Sequence, residues 1–414
     1  MPSILQAGKV IRFIRIMNIL IVSQHFYPDS FRVNEIATEL VRRGNKVTVL
    51  TSLPDYETGK VPKACRGIKN RKIKYNGADI IRTFSFSRRS GVLFRALNYV
   101  SFCLSSTFKA RHLKERFDLA ICYQTSPVLM ANAARAAANK QKIPFLIYCL
   151  DLWPECLKAW GVGEGNPLFK LLHSYSKKIY NRTDAIAVSS KPFTDYLCDV
   201  NGVERSKICY IPQHSEDMNL PPKKSSDGVL HLSFGGNIGS VQNIDCIVKA
   251  VAELKGLNGF IVDIYGDGSE LENCKKLAEE LQIQNKIIFH GRISRDRLWE
   301  EYKNTDAFLL TLKSEGLIGL TAPAKLQEYM SGNRPIIAAI GGAAEEIISS
   351  AECGVCVPSD DYKALANAIS DFVLNSADYN KFAENGRKYF EENFTLDKFM
   401  LSFERFLKGF ERSK

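Results

Sequence analysis

Short apolar runs alternate with amphipathic segments of helical period along most of the chain. The runs at residues 17–23, 46–51 and 118–123 are dominated by apolar side chains, as strands buried on both faces are. Residues 33–43 carry the apolar spacing of a helix, and Gly44 provides a stop signal after them. Strand, helix and strand in this order predict a right-handed βαβ unit within a parallel sheet.

A polar break divides this alternation into two halves. Residues 213–228 are rich in Pro, Ser and Lys, which is typical of an interdomain linker. Further apolar runs lie at residues 145–149, 184–190, 208–211, 229–234, 261–265, 287–292, 307–311, 335–340 and 354–358. The pattern predicts an α/β protein with two βα-repeat domains, residues 17–212 and 229–394, and an amphipathic helix over residues 395–414.

One helix near the C-terminus combines a cation with a carboxylate. The sequence predicts a helix over residues 323–330, with Pro323 in its first turn and Gly332 ending it in the left-handed conformation. Lys325 and Glu328, three residues apart, share one face of this helix near its start. A cation and a carboxylate at a helix N-terminus suit a phosphorylated, hydroxylated ligand. The alternative is a solvated ion pair without a ligand.

Glycine-rich loops follow two predicted strands of the second half. The Gly-Gly-Asn-Ile-Gly segment at residues 235–239 precedes a helix predicted from about Val241, so its backbone can approach a phosphate. A tight structural turn is the alternative. No GxGxxG motif follows the first strand, which counts against a dinucleotide-binding oxidoreductase. The candidate donor-site residues in this half are Gly236, Asn237, Gly239, Gln242, Tyr265, Gly266, Gly268, Arg292, Pro323, Lys325 and Glu328.

Polar residues also follow the strands of the first half. His25, Asp29 and Arg32 lie in the loop after the first strand, and Asp151 and Glu155 lie in Asp-Leu-Trp-Pro-Glu after the run at residues 145–149. Open α/β sheets bind their ligands at the carboxyl ends of strands, so these residues are candidates for acceptor contact. The alternatives are structural: helix capping by Asp29 or Ser30, and a structural carboxylate pair.

Charge is distributed unevenly along the chain. Residues 1–215 carry 33 Lys and Arg against 15 Asp and Glu, a net charge of +18, whereas residues 216–414 carry 23 against 30, a net charge of −7. A basic half indicates an anionic partner. No nucleic-acid-binding motif is apparent, so the pattern favours an anionic membrane surface.

The segment at residues 84–117 is the main membrane candidate. It is apolar with cationic flanks, but Arg95 and Asn98 interrupt it too strongly for a bilayer-spanning helix. It is either an interfacial helix or a core helix of the first domain, and the two interpretations do not exclude each other. Residues 1–16 lack the features of a signal peptide; either Met17 is the natural start or the leader is an interfacial anchor.

The cysteines argue for a reducing compartment. Eleven are scattered without a framework of paired spacings. Cys353 and Cys356 form a lone CxxC, which without a second pair is a poor zinc candidate.

The segment at residues 317–338 resembles the donor-binding signature of retaining GT-B glycosyltransferases of family 4, EGFGLxxLEAMxxGxPVI. Glu328 falls on the second glutamate of that signature, which in the family holds the ribose of a nucleotide sugar. The first glutamate falls on Leu320, and the Thr-Ala-Pro-Ala-Lys that follows resembles a subgroup of bacterial surface-polysaccharide transferases typified by L-fucosamine (N-acetyl-L-fucosaminyl) transferases. In this chain Lys325 is the substitute for the missing glutamate.

The resemblance runs in order from Met17 through the Asp-Leu-Trp-Pro-Glu and Gly-Asn-Ile-Gly-x-x-Gln segments to the Lys325 signature. It implies two Rossmann-like domains facing across a cleft, with a C-terminal helix returning to the first domain; that helix could instead complete the core of the second. The implied catalytic residues are Asp29, Asp151, Glu155 and Lys325, and the implied acceptor-binding residues are His25, Arg32, Asp151 and Glu155. Asn237 and Gln242 stand where common members have Arg and Lys, so phosphate neutralisation shifts to Lys325 and Arg292.

By resemblance, the chain is predicted to move a sugar from a UDP-sugar to a lipid-linked saccharide of undecaprenyl-diphosphate type. The subgroup suggests N-acetyl-L-fucosamine, a bacterial capsule, O-antigen or exopolysaccharide product, and a peripheral position on the inner face of the cell membrane. No cofactor, metal or nucleic acid is expected. Two alternatives remain open: a GT-B-fold UDP-sugar 2-epimerase, and a non-catalytic sugar-nucleotide-binding membrane partner.

Overall fold

A computed structural model describes residues 16–56, 59–67, 69–88, 91–160, 162–221, 228–313 and 319–410. Four stretches discussed above lie outside the described residues: the leader before Ile16, part of the linker, the first residues of the signature segment and the last residues of the C-terminal tail.

The first sheet follows from the apolar runs of the first half. In the described residues it contains eight strands in the order β3-β4-β2-β1-β5-β6-β7-β8, parallel in the pairs β1–β2, β1–β5, β2–β4 and β7–β8 and antiparallel in the β3–β4 hairpin. The strands are β1 (Asn18–Val22), β2 (Lys46–Thr51), β3 (Lys72–Tyr75), β4 (Ala78–Arg82), β5 (Leu119–Gln124), β6 (Phe145–Cys149), β7 (Ala185–Val188) and β8 (Ile208–Tyr210). The helices along this part are α1 (Arg32–Arg42), α2 (Val92–Arg111), α3 (Ala131–Gln141), α4 (Pro167–Asn181) and α5 (Pro192–Asp199). The hairpin was not predicted, because its strands alternate charged and apolar residues within a basic stretch.

Over the part of the chain that the structure describes, the second sheet contains six strands, parallel in every pair, in the order β11-β10-β9-β12-β13-β14. Its strands are β9 (Leu230–Gly235), β10 (Phe260–Tyr265), β11 (Ile287–Gly291), β12 (Ala307–Thr311), β13 (Ile336–Ala339) and β14 (Gly354–Val357). The helices of this part are α6 (Ile244–Glu253), α7 (Leu271–Glu280), α8 (Arg295–Tyr302), α9 (Ala324–Ser331), α10 (Ala343–Ala351), α11 (Tyr362–Leu374), α12 (Asn380–Asn393) and α13 (Leu396–Lys408).

Both faces of the second sheet are covered. Successive residues of β13 alternate between two hydrophobic clusters: Ile336 and Ala338 belong to one, and Ile337 and Ala339 to the other. Such alternation, with apolar residues on both sides, is what a parallel sheet with helices on each face requires. The predicted fold class, two Rossmann-like parallel-sheet domains, is therefore confirmed.

Backbone contacts divide the chain into two compact units, one up to Ile147 together with Phe410 and the other from Tyr148 to Gly409, with the border inside β6. Within the second unit, the Tyr148 ring of β6 lies 5.7 Å from the ring of Phe399 and 5.8 Å from that of Phe403, both on α13. Helix α13 thus packs on a strand of the first sheet within this unit, and its return to the first domain remains a prediction.

The described part of the predicted linker is held to the second unit. The backbone N–H of Met218 donates to Ser331 Oγ (3.1 Å), and Arg334 Nη2 donates to the Pro221 carbonyl (2.9 Å). Asp217 forms a two-point ion pair with Arg387. The predicted domain limits remain predictions.

Three local predictions are corrected. Gly332 is not left-handed: its φ is −77°, and Asn333 adopts the positive φ of 52° instead. Glycine is needed at 332 for packing, since a Cβ there would lie 2.7 Å from Met218 Cε. Helix α6 begins at Ile244 rather than Val241, so the glycine loop before it is longer than predicted. Pro323 is the N-cap residue of α9, just before its first turn.

Among the described residues, no helix has the length and apolar character needed to cross a bilayer.

Candidate functional site

Lys325 lies in the first turn of α9, where the helix N-terminus carries partial positive charge. Its Nζ is 3.7 Å from the centroid of the Phe234 ring at the end of β9. Burial lowers the pKa of Lys325 to about 7, although the Glu328 carboxylate favours the charged form. A bound anion would stabilise the ammonium and raise this pKa again.

Gly236 provides the space that Lys325 occupies. A Cβ atom at Gly236 would lie 2.4 Å from Cε and 2.6 Å from Nζ of Lys325, and Gly236 has a φ of +136°. Glycine is therefore required there both for its backbone conformation and for the approach of the lysine.

The second glycine loop packs directly on the first. The N–H of Gly236 donates to the Tyr265 carbonyl (2.8 Å), and a Cβ at Gly266 would lie 1.8 Å from the Gly236 carbonyl oxygen. A Cβ at Gly268 would similarly lie 2.3 Å from the Ile238 carbonyl oxygen. Gly266 and Gly268 thus serve loop–loop packing, a role that the sequence did not reveal.

The polar side chains of the first loop bind one another. Gln242 Oε1 accepts from Asn237 Nδ2 (2.9 Å) and from the Gly239 N–H (3.2 Å). These bonds fix the shape of the loop before α6. The predicted contacts of these three residues with phosphate remain predictions.

Two tyrosines that the sequence did not reveal, Tyr329 and Tyr302, support the loop at residues 235–239 through Gly235. The N–H of Gly235 donates to the hydroxyl of Tyr329 (3.0 Å), whose ring stacks on Phe308 at 4.2 Å. A Cβ at Gly235 would lie 1.9 Å from the hydroxyl of Tyr302. Tyr329 directly follows Glu328 in the sequence, and this adjacency could have identified it as part of the site.

Glu328 lies one turn after Lys325 and is oriented by α8. Its Oε1 accepts from Trp299 Nε1 (2.9 Å) and is 4.0 Å from Arg295 Nη2. The Arg295 guanidinium lies 4.9 Å from the centroid of the Trp299 ring. With 21% of its side chain exposed, Glu328 retains a solvent-facing edge for hydroxyl groups.

An Asp between two histidines supports the edge of the second sheet. Asp263 Oδ2 accepts from His231 Nδ1 and Asp263 Oδ1 accepts from His290 Nε2, each at 2.7 Å. The His290 ring stacks on Tyr265 at 4.3 Å, which fixes the orientation of both rings. Arg292, two residues after His290, is exposed. Sequence reasoning missed Asp263 and His231, which lie inside strands rather than in loops.

In the first unit, His25 is surrounded by aromatic rings. Its imidazole stacks on Phe31 at 5.2 Å and meets the edge of Tyr56 at 4.7 Å. Burial, together with the nearby Arg88 charge, lowers the pKa of His25 to about 3, so the imidazole is neutral at physiological pH. Its Nδ1 is buried and has no hydrogen-bond partner among the described residues.

Asp29 belongs to the same loop. Its Oδ2 accepts from the backbone N–H of Tyr56 (3.2 Å), and the N-cap residue of α1 is Phe31, without a side-chain cap bond. The alternative of helix capping by Asp29 or Ser30 remains open. Arg32 is the first residue of α1 and is partly buried.

Asp55 was not identified from the sequence, although it follows β2 at the sheet edge where ligands are expected. Its Oδ2 accepts from the Arg88 N–H (2.7 Å) and from Asn98 Nδ2 (3.2 Å), and Asn98 Oδ1 accepts from Gln24 Nε2 (2.7 Å). Asp55 Oδ1 and Gln24 Oε1 are buried without a partner among the described residues. Burial raises the pKa of Asp55 to about 6. Asp55, Asn98, Gln24 and His25 are called the Asp55 cluster below.

Asp151 and Glu155 follow β6 as predicted. Glu155 is buried, accepts from the Tyr196 hydroxyl and lies 2.8 Å from Lys158 Nζ, which also pairs with Glu164. These contacts are compatible with the structural alternative for Glu155. The acceptor roles of Asp151 and Glu155 remain predictions.

No group of three or more His, Cys, Asp or Glu side chains within the described ranges could hold a metal ion. Burial raises the pKa of both Cys353 and Cys356 to about 12, so their thiols stay protonated at neutral pH.

Comparisons with known proteins agree with this geometry. Residues 31–213 match the family model described as Glycosyltransferase Family 4, and residues 221–389 match the one described as Glycosyl transferases group 1. The chain is 25% identical over 375 residues to the probable glycosyltransferase WbjE of Pseudomonas aeruginosa, covering 86% of each protein. It is 22% identical over 400 residues to the O-antigen chain mannosyltransferase C of Escherichia coli, covering 92% of this chain and 95% of that protein.

Among solved structures, that of Anabaena Alr3699/HepE in complex with UDP has the same fold, with a TM-score of 0.70 at 13% identity and coverage of 95% of this chain and 100% of that one. The two family models together span most of the sequence in consecutive segments. The chain therefore belongs to the GT-B glycosyltransferases of group 1 and family 4.

Proposed function

We propose that the protein is a retaining glycosyltransferase that moves a sugar from a UDP-sugar to a lipid-linked saccharide of a bacterial surface polysaccharide. The observation that carries this proposal is the pair on α9: a partly buried cation, Lys325, with a carboxylate, Glu328, one turn later. The lysine suits a diphosphate and the carboxylate suits the vicinal hydroxyls of a ribose. In this proposal residues 229–394 hold the donor and residues 17–212 the acceptor.

Lys325 supplies the main electrostatic contribution to the transfer. As the bond between the anomeric carbon and the phosphate oxygen breaks, negative charge builds on the leaving diphosphate. A fixed cation and the N-terminus of α9 stabilise that charge without having to reorient. The acceptor hydroxyl attacks from the same face and gives its proton to the departing phosphate oxygen, so no protein base is needed and the products are UDP and the extended saccharide.

The first half of the chain binds the acceptor in this proposal. Asp151 polarises the acceptor hydroxyl, His25 and Arg32 contact the acceptor sugar, and Asp29 and Glu155 support this site. The similarity to a protein named for O-antigen chain synthesis supports a surface-polysaccharide acceptor. The net charge of +18 on residues 1–215 supports work at the anionic inner face of the cell membrane.

The donor proposed is a UDP-sugar, and the subgroup resemblance suggests N-acetyl-L-fucosamine. Similar proteins include mannosyltransferases, one of which is named as GDP-mannose-dependent, so GDP-mannose is the competing donor. We propose that no metal is needed, because Lys325 occupies the position from which a cation would neutralise the diphosphate. Chelation with EDTA is expected to leave the rate unchanged.

The decisive experiment incubates the protein with UDP-sugars, including UDP-N-acetyl-L-fucosamine, with GDP-mannose, and with a GlcNAc-pyrophosphoryl-lipid acceptor. Release of UDP with a longer lipid-linked saccharide, of retained anomeric configuration, supports the proposal. A new UDP-sugar formed without acceptor would support the 2-epimerase instead. Donor binding without turnover would support a non-catalytic partner, and release of GDP would overturn the donor assignment.

A further inference from the structure

Helix α2 carries a continuous apolar stripe on its outer face. Five large apolar side chains are spaced four, three, four and four residues apart, which places them on one side of a helix within about a quarter turn of each other. Leu93, Leu104 and Phe108 are about two-thirds exposed, at 70%, 67% and 68%. The stripe consists of Leu93, Leu97, Val100, Leu104 and Phe108.

The opposite face of α2 is fixed to the body of the first unit. Its buried residues, at 0–1% exposure, are Asn98, Phe102, Ser106 and Ala110. Asn98 is part of the Asp55 cluster and donates to both Asp55 and the Phe86 carbonyl. The helix is therefore held rigidly through one face while the stripe points outward. The core interpretation of this segment therefore holds for the inner face of α2, and the interfacial interpretation remains a prediction for the outer face.

The surroundings of the stripe are cationic. From residue 80 to residue 114 the sequence contains no Asp or Glu. Arg111, Lys114 and Arg116 are exposed at the C-terminal end of the helix, and Arg95 and Lys109 are partly exposed along it. Two exposed rings, Phe84 at 42% and Phe86 at 51%, extend the apolar surface beside the helix.

This charge distribution decides between two possible occupants of the stripe. A second copy of the chain pairing through the same helix would bring the cationic flanks of both copies together, and like charges at an interface oppose association. An anionic lipid surface instead attracts each basic side chain while its acyl boundary receives the apolar ones.

We propose that α2 lies flat on an anionic bilayer, with its stripe inserted at the boundary between head groups and acyl chains. Helix α2 would then be the surface through which the protein meets the membrane. That this contact delivers a lipid-linked acceptor rests on the proposed function. Because a helix with its side chains is about 10–12 Å across, docking would hold the Asp55 cluster one helix diameter from the lipid head groups. A saccharide carried on a lipid would then reach the cluster without leaving the membrane.

The test is co-sedimentation of the full-length protein with phosphatidylglycerol–phosphatidylcholine vesicles, which needs no enzymatic activity. Wild type is expected to bind them, and to bind pure phosphatidylcholine vesicles at least about tenfold more weakly. The double variant Leu93→Ser/Leu104→Ser is expected to lose about tenfold or more in vesicle affinity, because two inserted side chains are removed. The matched control, Leu374→Ser/Leu401→Ser, removes two leucines of similar exposure, 68% and 55%, from other helices and should bind as wild type does.

A charge variant tests the second half of the inference. Arg111→Glu/Lys114→Glu should weaken binding to anionic vesicles and reduce its sensitivity to salt, while binding to neutral vesicles changes little. Equal vesicle binding by wild type, the stripe variant and the leucine control would overturn the proposal. A dimer in light scattering that dissociates in the stripe variant, without vesicle binding, would assign the stripe to a second copy. Absence of glycosyl transfer would leave these results unaffected and would count only against the proposed function.

Discussion

The residues around Lys325 and the Asp55 cluster form two polar sites shielded from solvent. Each contains one ionisable group with a pKa near neutral, a lysine in the first and an aspartate in the second. Burial brings the pKa of Lys325 down to about 7 and that of Asp55 up to about 6. With a pKa of about 7, a large share of Lys325 is an ammonium at neutral pH, and an anionic ligand would favour that form further. The second combines a carboxyl with a neutral imidazole and an amide oxygen, a set suited to neutral hydroxyl groups. In the proposed function the first site would hold a charged diphosphate and the second a sugar.

The two regions also differ in how they are built. Lys325 and Glu328 share one short helix; Lys325 packs against a glycine loop with no room for a Cβ atom, and Glu328 is held by Trp299 and Arg295 of α8. The Asp55 cluster draws Gln24, Asp55 and Asn98 from the ends of two strands and the middle of a helix. Packing holds the Lys325 site rigid. Hydrogen bonds hold the Asp55 cluster, and they leave Asp55 Oδ1 and Gln24 Oε1 without partners among the described residues.

Removing the cation should have the largest effect. Lys325→Ala is expected to lower kcat/KM for the donor by about 10²–10³-fold, because the leaving diphosphate loses its fixed positive charge. The thermal midpoint should not fall, since a buried charge is removed. Lys303→Ala, which removes an exposed lysine paired with Glu300, is the control and should behave as wild type. Near-normal donor kinetics in Lys325→Ala would contradict the distinction between a diphosphate site at Lys325 and a sugar site at the Asp55 cluster.

Removing the charge from the Asp55 cluster should raise stability at high pH. The folded-state pKa of Asp55, about 6, is above its ordinary value of 3.8, so ionisation destabilises the fold fully above pH 6 and not at all below pH 3.8. Asp55→Asn should therefore be more stable than wild type at pH 8, by an upper bound of about 3 kcal/mol, and the gain should shrink as the pH falls from 6 to 4. Urea unfolding at pH 8 and at pH 4 measures this difference in the free energy of unfolding.

The matched control for that experiment is Asp79→Asn, since Asp79 is 60% exposed and lies 3.6 Å from Lys74. Little change is expected in it at either pH. A loss of stability in Asp55→Asn at pH 8 would mean that the carboxylate is compensated within the cluster, and that the site is not poised for a neutral ligand.

Displacing the lysine without removing it should give an intermediate effect. Gly236→Ala places a methyl group where Lys325 Cε and Nζ lie, so the ammonium must move by an ångström or more. A displacement of that size is expected to reduce donor kcat/KM by about 10–100-fold. Gly256→Ala is the control, because nothing lies within 4 Å of a Cβ there. Equal activity of the two variants would show that the glycine loop does not position the lysine.

The smallest effect is the pH dependence of donor binding. Lys325 must be protonated to hold a diphosphate, and its pKa without ligand is about 7. Donor KM is therefore expected to rise by up to about tenfold per pH unit above pH 7 and to level off below it. Lys325→Arg keeps its charge throughout this range, so its KM should be flat even if it is raised overall. A flat profile in wild type would contradict the assignment.

The sequence predicted the parts of the site that are local along the chain. Lys325 and Glu328 on one helix face, the loops at residues 235–239 and 266–268, and the strands before them all follow from spacing within a few residues. Short-range signals of this kind depend on backbone geometry alone, so they survive without tertiary information.

Long-range contacts account for what was missed. Gly236 and Lys325 are far apart in sequence, and only the fold shows that one makes room for the other. Asn98 looked like a defect in an apolar segment, yet it is a buried member of the Asp55 cluster. Gly332 was expected to be left-handed, but its lack of a side chain is used for packing against Met218 and Phe308.

The most direct measurement is a crystal structure of the protein soaked with UDP. The account predicts a diphosphate oxygen within hydrogen-bonding distance of Lys325 Nζ and the ribose hydroxyls on the carboxylate of Glu328. UDP bound away from these two side chains would contradict it.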